Sequence, residues 1–154
     1  MNALMKSHMV SVPMRRIMKS VTVNRSAMRL YHEWRNLTRS RAATLRGVGI
    51  RTSINEEATI RVPRVAETGS LTAGEAELSL AIPGLLIAWT SRSGHASVQN
   101  GEVWFSPLPP DCSEVRLILT WQSDEFMPND AGEAGETAVQ VERELTRFKQ
   151  LMEQ

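Results

Sequence analysis

From Glu75 onward apolar and polar positions alternate in well-bounded blocks. Ala76, Leu78, Leu80 and Ile82 are separated by Glu77, Ser79 and Ala81, the period-two pattern of a half-buried strand. Pro83-Gly84 closes the block and predicts a type II turn. Residues 85–91, 96–107 and 114–121 form three further strands, joined through Ser93-Gly94 and the rigid Pro107-Leu-Pro-Pro-Asp111 segment. Gly101 interrupts the longest of them and predicts a bulge or kink. On parity, Leu78, Ile87, Trp89, Val103, Phe105, Val115, Leu117, Leu119 and Trp121 share one face. After a polar stretch over 123–136, read as a loop, the period changes. Ala138, Val141, Leu145, Phe148 and Met152 recur at intervals of three and four, which predicts an amphipathic helix over 137–152 with Glu142, Arg143, Glu144 and Lys149 on its wet side. Burying its four large apolar side chains would contribute about 1.5–3 kcal/mol each.

The first half is less regular. Val21 and Val23 alternate with polar neighbours over 19–24, a short strand. Ser26 is a helix N-cap, and Ala27, Leu30, Tyr31, Trp34 and Leu37 follow along one helical side. Arg29 occupies the position where a capping box would need Glu or Gln. Residues 38–44 either extend this helix or form a basic loop. Weak strands are expected over 48–54 and 59–65, separated by Asn55-Glu-Glu57, and Pro63 makes the second an edge or bulged strand. Residues 69–74 read as a turn. Residues 1–18, with five methionines and no clear period, read as a poorly ordered basic leader, leaving 19–153 as a single domain.

With 154 residues the chain is long enough for one substantial core. No apolar run reaches the roughly 18 residues of a membrane span, and the N-terminus lacks the apolar core and cleavage site of a signal peptide. Cys112 stands alone, which excludes an internal disulfide and fits a reducing compartment, so a cytoplasmic location is expected. The small net charge hides an asymmetry. Residues 1–51 carry eleven Lys or Arg against one acid, and 52–154 carry seven against sixteen. Such polarity can mark contact with nucleic acid or an anionic membrane. A solvated basic face explains it with fewer assumptions, and nucleic acid is not expected as a partner. The basic stretch runs on into the first strand and helix, which argues against a transit peptide.

Catalytic chemistry is sparse. His8, His32 and His95 have no companions at metal-ligand spacing, so no metal site is expected. Glu56-Glu57 and Asp124-Glu125 are adjacent carboxylates in polar loops, where solvation is the ordinary outcome. The sequence contains no glycine-rich phosphate loop and no nucleophile elbow. A Cys112–His95 dyad would lack an orienting third group. A strongly bent sheet closed by a single helix, however, can leave an apolar cavity. Its candidate lining is Leu78, Ile87, Trp89, Val103, Phe105, Leu117, Leu119 and Trp121 from the strands, with Val141, Leu145 and Phe148 from the helix. Trp89 and Trp121 would offer apolar walls carrying an N–H for a polar headgroup. A plain hydrophobic core is the alternative for the same residues. Trp104 and Ile118 fall on the opposite face and make a candidate patch for self-association or peripheral membrane contact.

The run Pro83-Gly-Leu-Leu-Ile-Ala-Trp-Thr-Ser91, then Asn100-Gly-Glu-Val-Trp-Phe105, Ser113-Glu-Val-Arg-Leu117 and Glu144-Leu-Thr-Arg-Phe-Lys-Gln-Leu-Met-Glu153, resembles bacterial polyketide cyclase/dehydrase-like proteins. These belong to the START-like (SRPBCC, birch-pollen-allergen-like) superfamily, near the coenzyme Q-binding proteins. The opening strand Ser20-Val-Thr-Val-Asn24 and the helix bearing Trp34 match as well, so the resemblance spans about residues 18–153. It implies an α+β helix-grip fold: a curved antiparallel sheet, two short helices after the first strand, and a long C-terminal helix gripping the sheet. It also implies binding, or transport, of a hydrophobic small molecule such as a lipid, quinone or polyketide-like compound in an internal cavity. No cofactor is implied. The alternative is an aromatase/cyclase-type enzyme, for which Tyr31, His32 or Arg92 would be the proton donor. The inward strand positions carry no ionisable group, which favours binding over catalysis. The chain departs from the family over 38–70, which is Arg-rich and lacks a Leu-Pro-containing second helix. Gly74 also stands where an aromatic is common.

Overall fold

A computed structural model describes residues 14–39, 59–66, 70–92, 98–122 and 130–154. The elements are β1 (Met14–Val23), α1 (Ala27–Leu37), β2 (Thr59–Val65), β3 (Leu71–Ile82), β4 (Leu86–Arg92), β5 (Val98–Leu108), β6 (Cys112–Gln122) and α2 (Asp130–Met152). The strands form one antiparallel sheet in the order β1-β6-β5-β4-β3-β2. The sheet curls into a half-barrel around the C-terminal helix, so the α+β helix-grip expectation holds. The weak strand expected over 48–54 and the Ser93-Gly94 turn lie outside the described residues.

Local chemistry accounts for the element ends. Gly84 has φ of 76° and the Leu85 N–H donates to the Ile82 carbonyl at 2.9 Å, as a type II turn after Pro83 requires. The Ser26 hydroxyl accepts from the Arg29 N–H at 3.2 Å and starts α1. Several boundaries run beyond the sequence pattern. β1 begins at Met14, because β6 continues to Gln122 and offers each residue of 14–18 an antiparallel partner. α2 begins at Asp130, eight residues before the first residue of the apolar stripe, Ala138. Residues 71–74, read as turn, belong to β3, where Gly74 pairs with Val62. The bulge expected at Gly101 lies instead in β3, between Leu78 and Leu80, and β5 keeps regular register through Gly101.

The concave face of the sheet and the two helices enclose one core. Val23, Leu30, Ile87, Val103, Phe105, Val115, Leu117, Val141 and Leu145 are all at most 1% exposed. Edge-to-face ring contacts run from Tyr31 to Phe105 at 6.0 Å, from Phe105 to Trp34 at 6.5 Å and from Trp34 to Phe148 at 5.1 Å. This chain of rings couples α1, β5 and α2. The far end of α2 is tied to the start of α1. Glu153 accepts from the Asn24 N–H and from Lys149, both at 2.8 Å, and Lys149 also donates to the Thr22 carbonyl at 2.7 Å. The Lys149 hydrogen bond, and after it the Asn24 N–H, hold the Glu153 carboxyl below its ordinary value near 4.5.

The two sheet edges are treated differently. β1 packs along α2 and carries the Lys19–Glu142 ion pair at 3.4 Å. β2 is an edge strand, as Pro63 anticipates. Its free side is met at one end by α1, where the Arg61 N–H donates to the Thr38 carbonyl at 2.7 Å and Arg39 bridges Ile60. At the other end the Gln99 side chain accepts from the Val65 N–H at 2.8 Å and donates back to the Val65 carbonyl. Gln99 sits on β5, three strands away in sheet order, about 14 Å on a flat sheet. Only a strongly curled sheet allows one amide to reach.

Candidate functional site

The opening in this half-barrel lies where β2 stands off from the helices. A groove of about 650 Å³ runs between the β2–β3 hairpin on one side and the C-terminal parts of α1 and α2 on the other. Trp34 and Phe148 form its floor, packed edge-to-face, and Val62 and Leu71 continue it onto the hairpin. Leu37 and Leu151 also border it, yet they are 54% and 44% exposed. Large apolar side chains left wet at the lip of a concave site mark a surface that gains by being covered.

Helical periodicity gives α2 this second role. Val141, Leu145 and Phe148 face the core, while Gln140, Arg143, Glu144, Arg147 and Leu151 form the neighbouring stripe along the groove. Phe148 belongs to both. Gln140 holds the hairpin, accepting from the Leu71 N–H at 2.6 Å. At the end of α1 the Thr38 hydroxyl donates to the Trp34 carbonyl at 2.9 Å. Among the described residues the buried Trp34 Nε1–H has no acceptor, a deficit that ordinarily costs about 1–3 kcal/mol.

Three cations rim the groove: Arg61 from β2 and Arg143 and Arg147 from α2. Among the described residues Glu144 is the single acid lining the groove with them, 3.5 Å from Arg147. Arg61 and Arg143 have no side-chain partner among the described residues. No group of His, Cys, Asp and Glu among the described residues could hold a metal ion.

The residues proposed from strand parity do come together. Ile87, Trp89, Val103, Phe105, Leu117, Leu119, Trp121, Val141, Leu145 and Phe148 form one buried cluster, with Leu78 packed against it. Phe148 alone among them also borders the groove; the other ten occupy the packed interior beside it. Tyr31 is buried against Phe105, and His32 is exposed. Neither borders the groove. Of Arg92 only the backbone, at the end of β4, is among the described features, and His95 lies outside the described residues. Trp104 and Ile118 lie on the outer sheet face, each half-buried, and Trp104 donates its N–H to Glu102 at 2.9 Å. Among the groove residues that the sequence reading did not propose as a site are Arg61, Arg147 and Leu151, together with Arg143, which it placed only on the wet side of the helix. The available signal was Leu151, three residues beyond Phe148 and flanking the apolar stripe on the side of Arg143 and Arg147.

Comparison with solved structures places this geometry. A protein from Deinococcus radiodurans is 28% identical, with a TM-score of 0.55 over 88% of this chain and 95% of that one. A START superfamily protein from Mycobacterium smegmatis superposes with a TM-score of 0.59 at 16% identity, over 88% of this chain and 98% of the other. The chain has a START-like fold. The Zhui aromatase/cyclase from Streptomyces shares it, with a TM-score of 0.58 at 16% identity, covering 92% of this chain and 94% of its own. No protein-family model matches the sequence, and no curated protein matches it either. Among the described residues no helix is long and apolar enough to cross a membrane.

Proposed function

We propose that this START-like protein binds a hydrophobic small molecule, of lipid, quinone or polyketide-like size, in the groove between the β2–β3 hairpin and the two helices. The observation that carries this reading is an aromatic floor, Trp34 and Phe148, opening to a lip where Leu37 and Leu151 stay exposed. A volume near 650 Å³ suits such a ligand. The START-like fold supports ligand binding in general. An aromatase/cyclase reaction would need a group able to exchange protons at the reacting carbon. Among the described residues the ionisable side chains at the groove are three arginines, whose guanidiniums offer donors and no acceptor, and Glu144, which is paired with Arg147. Binding is therefore the simpler assignment.

The test is native mass spectrometry and solvent extraction of the protein purified from its own host, followed by titration with the neutral apolar dye Nile red. A co-purifying apolar molecule, or saturable one-to-one dye binding that weakens in Leu151→Ser, supports the groove as the site. An empty protein that takes up no dye refutes it.

A further inference from the structure

The charges on the groove run against the charge of the sequence around them. After position 51 the chain has seven basic and sixteen acidic residues. Three of those seven bases, Arg61, Arg143 and Arg147, border this one groove, with Glu144 the only acid among the described residues. They come from two separate elements, β2 and α2, and flank the apolar floor from opposite sides. Glu144 engages Arg147. Arg61 and Arg143 form no ion pair among the described residues, although Glu75 stands opposite Arg61 in the β2–β3 register. Two arginines without an ion pair among the described residues, one on each wall of an apolar groove, match a molecule with an apolar tail and an anionic head. The tail would lie on Trp34, Val62 and Phe148. The head would accept forked hydrogen bonds at the rim, as carboxylates and phosphates do from arginine.

We infer that the ligand is a single-chain amphiphile with an anionic head, a carboxylate or a phosphate monoester, held by Arg61 and Arg143. This rests on the proposed ligand-binding role and sharpens it. The groove discriminates by headgroup charge, and its aromatic floor accepts the chain whatever the head. The two charges are open to solvent, so the selectivity weakens with salt.

The experiment compares probes of one chain length below their micelle concentrations: dodecanoate, dodecyl phosphate, dodecanol and dodecyltrimethylammonium, each measured by displacement of Nile red. Acetate and inorganic phosphate serve as heads without tails. Dodecanoate and dodecyl phosphate should bind about tenfold or more tighter than dodecanol, and the ammonium should bind weakest. The Arg61→Gln/Arg143→Gln variant should bring dodecanoate within about threefold of dodecanol while leaving dodecanol unchanged. Equal affinity of the anionic and neutral probes for the wild type would overturn the inference while leaving the apolar groove standing. Displacement by inorganic phosphate or acetate alone would overturn it too, since the head would then suffice without the tail. Failure of every probe, Nile red included, would remove the binding role on which the inference rests.

Discussion

Trp89 on β4 lies directly against Gly101, its cross-strand partner on β5, and a methyl group at Gly101 would come within 2.2 Å of the indole. Gly101 is thus required for the space above it, and the strand runs straight through it. Gly101→Ala should force the ring out of its place in the core and cost about 1–3 kcal/mol. A thermal melt equal to wild type would show that the ring can move aside without loss. Trp89→Ala, which empties a fully buried site, should cost more, about 3–5 kcal/mol.

The Gln99 clasp on Val65 makes a separable prediction. Gln99→Leu removes both hydrogen bonds and leaves the Val65 N–H and carbonyl on an edge strand. A loss of about 1–3 kcal/mol is expected, with faster amide exchange at Val65 and unchanged exchange in β5 and β6. Unaltered protection at Val65 would mean the curl of the sheet holds β2 by itself.

At the other end, Glu153 couples the last turn of α2 to Asn24. Its carboxyl is held low, first by Lys149 and then by the Asn24 N–H. The folded value is therefore below the unfolded one. The stabilisation is complete above about 4.5 and is lost as pH falls through the folded value. Wild type should melt slightly above Glu153→Gln at pH 7, and the gap should close on acidification. A gap that stayed constant down to pH 2 would exclude the carboxylate as its source. The effect is expected to be small, because the group is exposed to solvent.

Leu151→Ser tests the lip independently of the core. The side chain is 44% exposed, so stability should change by no more than about 0.5 kcal/mol. Apolar ligand affinity should fall several-fold in the same variant. A melt lowered by several degrees would assign Leu151 to the core instead.

Much of the fold can be read from periodicity. Val141, Leu145 and Phe148 repeat at helical spacing and are buried as expected, and the β5 and β6 faces follow parity over 101–105 and 113–121. β3 departs from parity for a physical reason. Leu78, Leu80 and Ile82 alternate as one face in the sequence, but the bulge after Leu78 shifts the register. Leu80 and Ile82 then point outward, 46% and 39% exposed, and Ala81 packs toward the core. One extra residue reverses every later side chain, and nothing in Leu78-Ser-Leu80 announces it. The groove was less legible still. Its rim is assembled from Arg61 and Arg143, 82 positions apart, and only the curl of the sheet brings them to one groove. On a helix wheel Arg143 is an ordinary wet residue.

The β2–β3 hairpin forms one wall of the groove; beyond its own ladder, the β3–β4 pairing and the contact of α1 with β2, two amides grip it, Gln99 at Val65 and Gln140 at Leu71. The separation of this wall from α2 is thus governed by side chains and not by a continuous strand ladder. The aperture and the interior are mechanically distinct. Lengthening or shortening either glutamine would retune the size of molecule admitted while the Phe105-centred ring stack stays as it is, so ligand preference in this scaffold can drift without repacking its core.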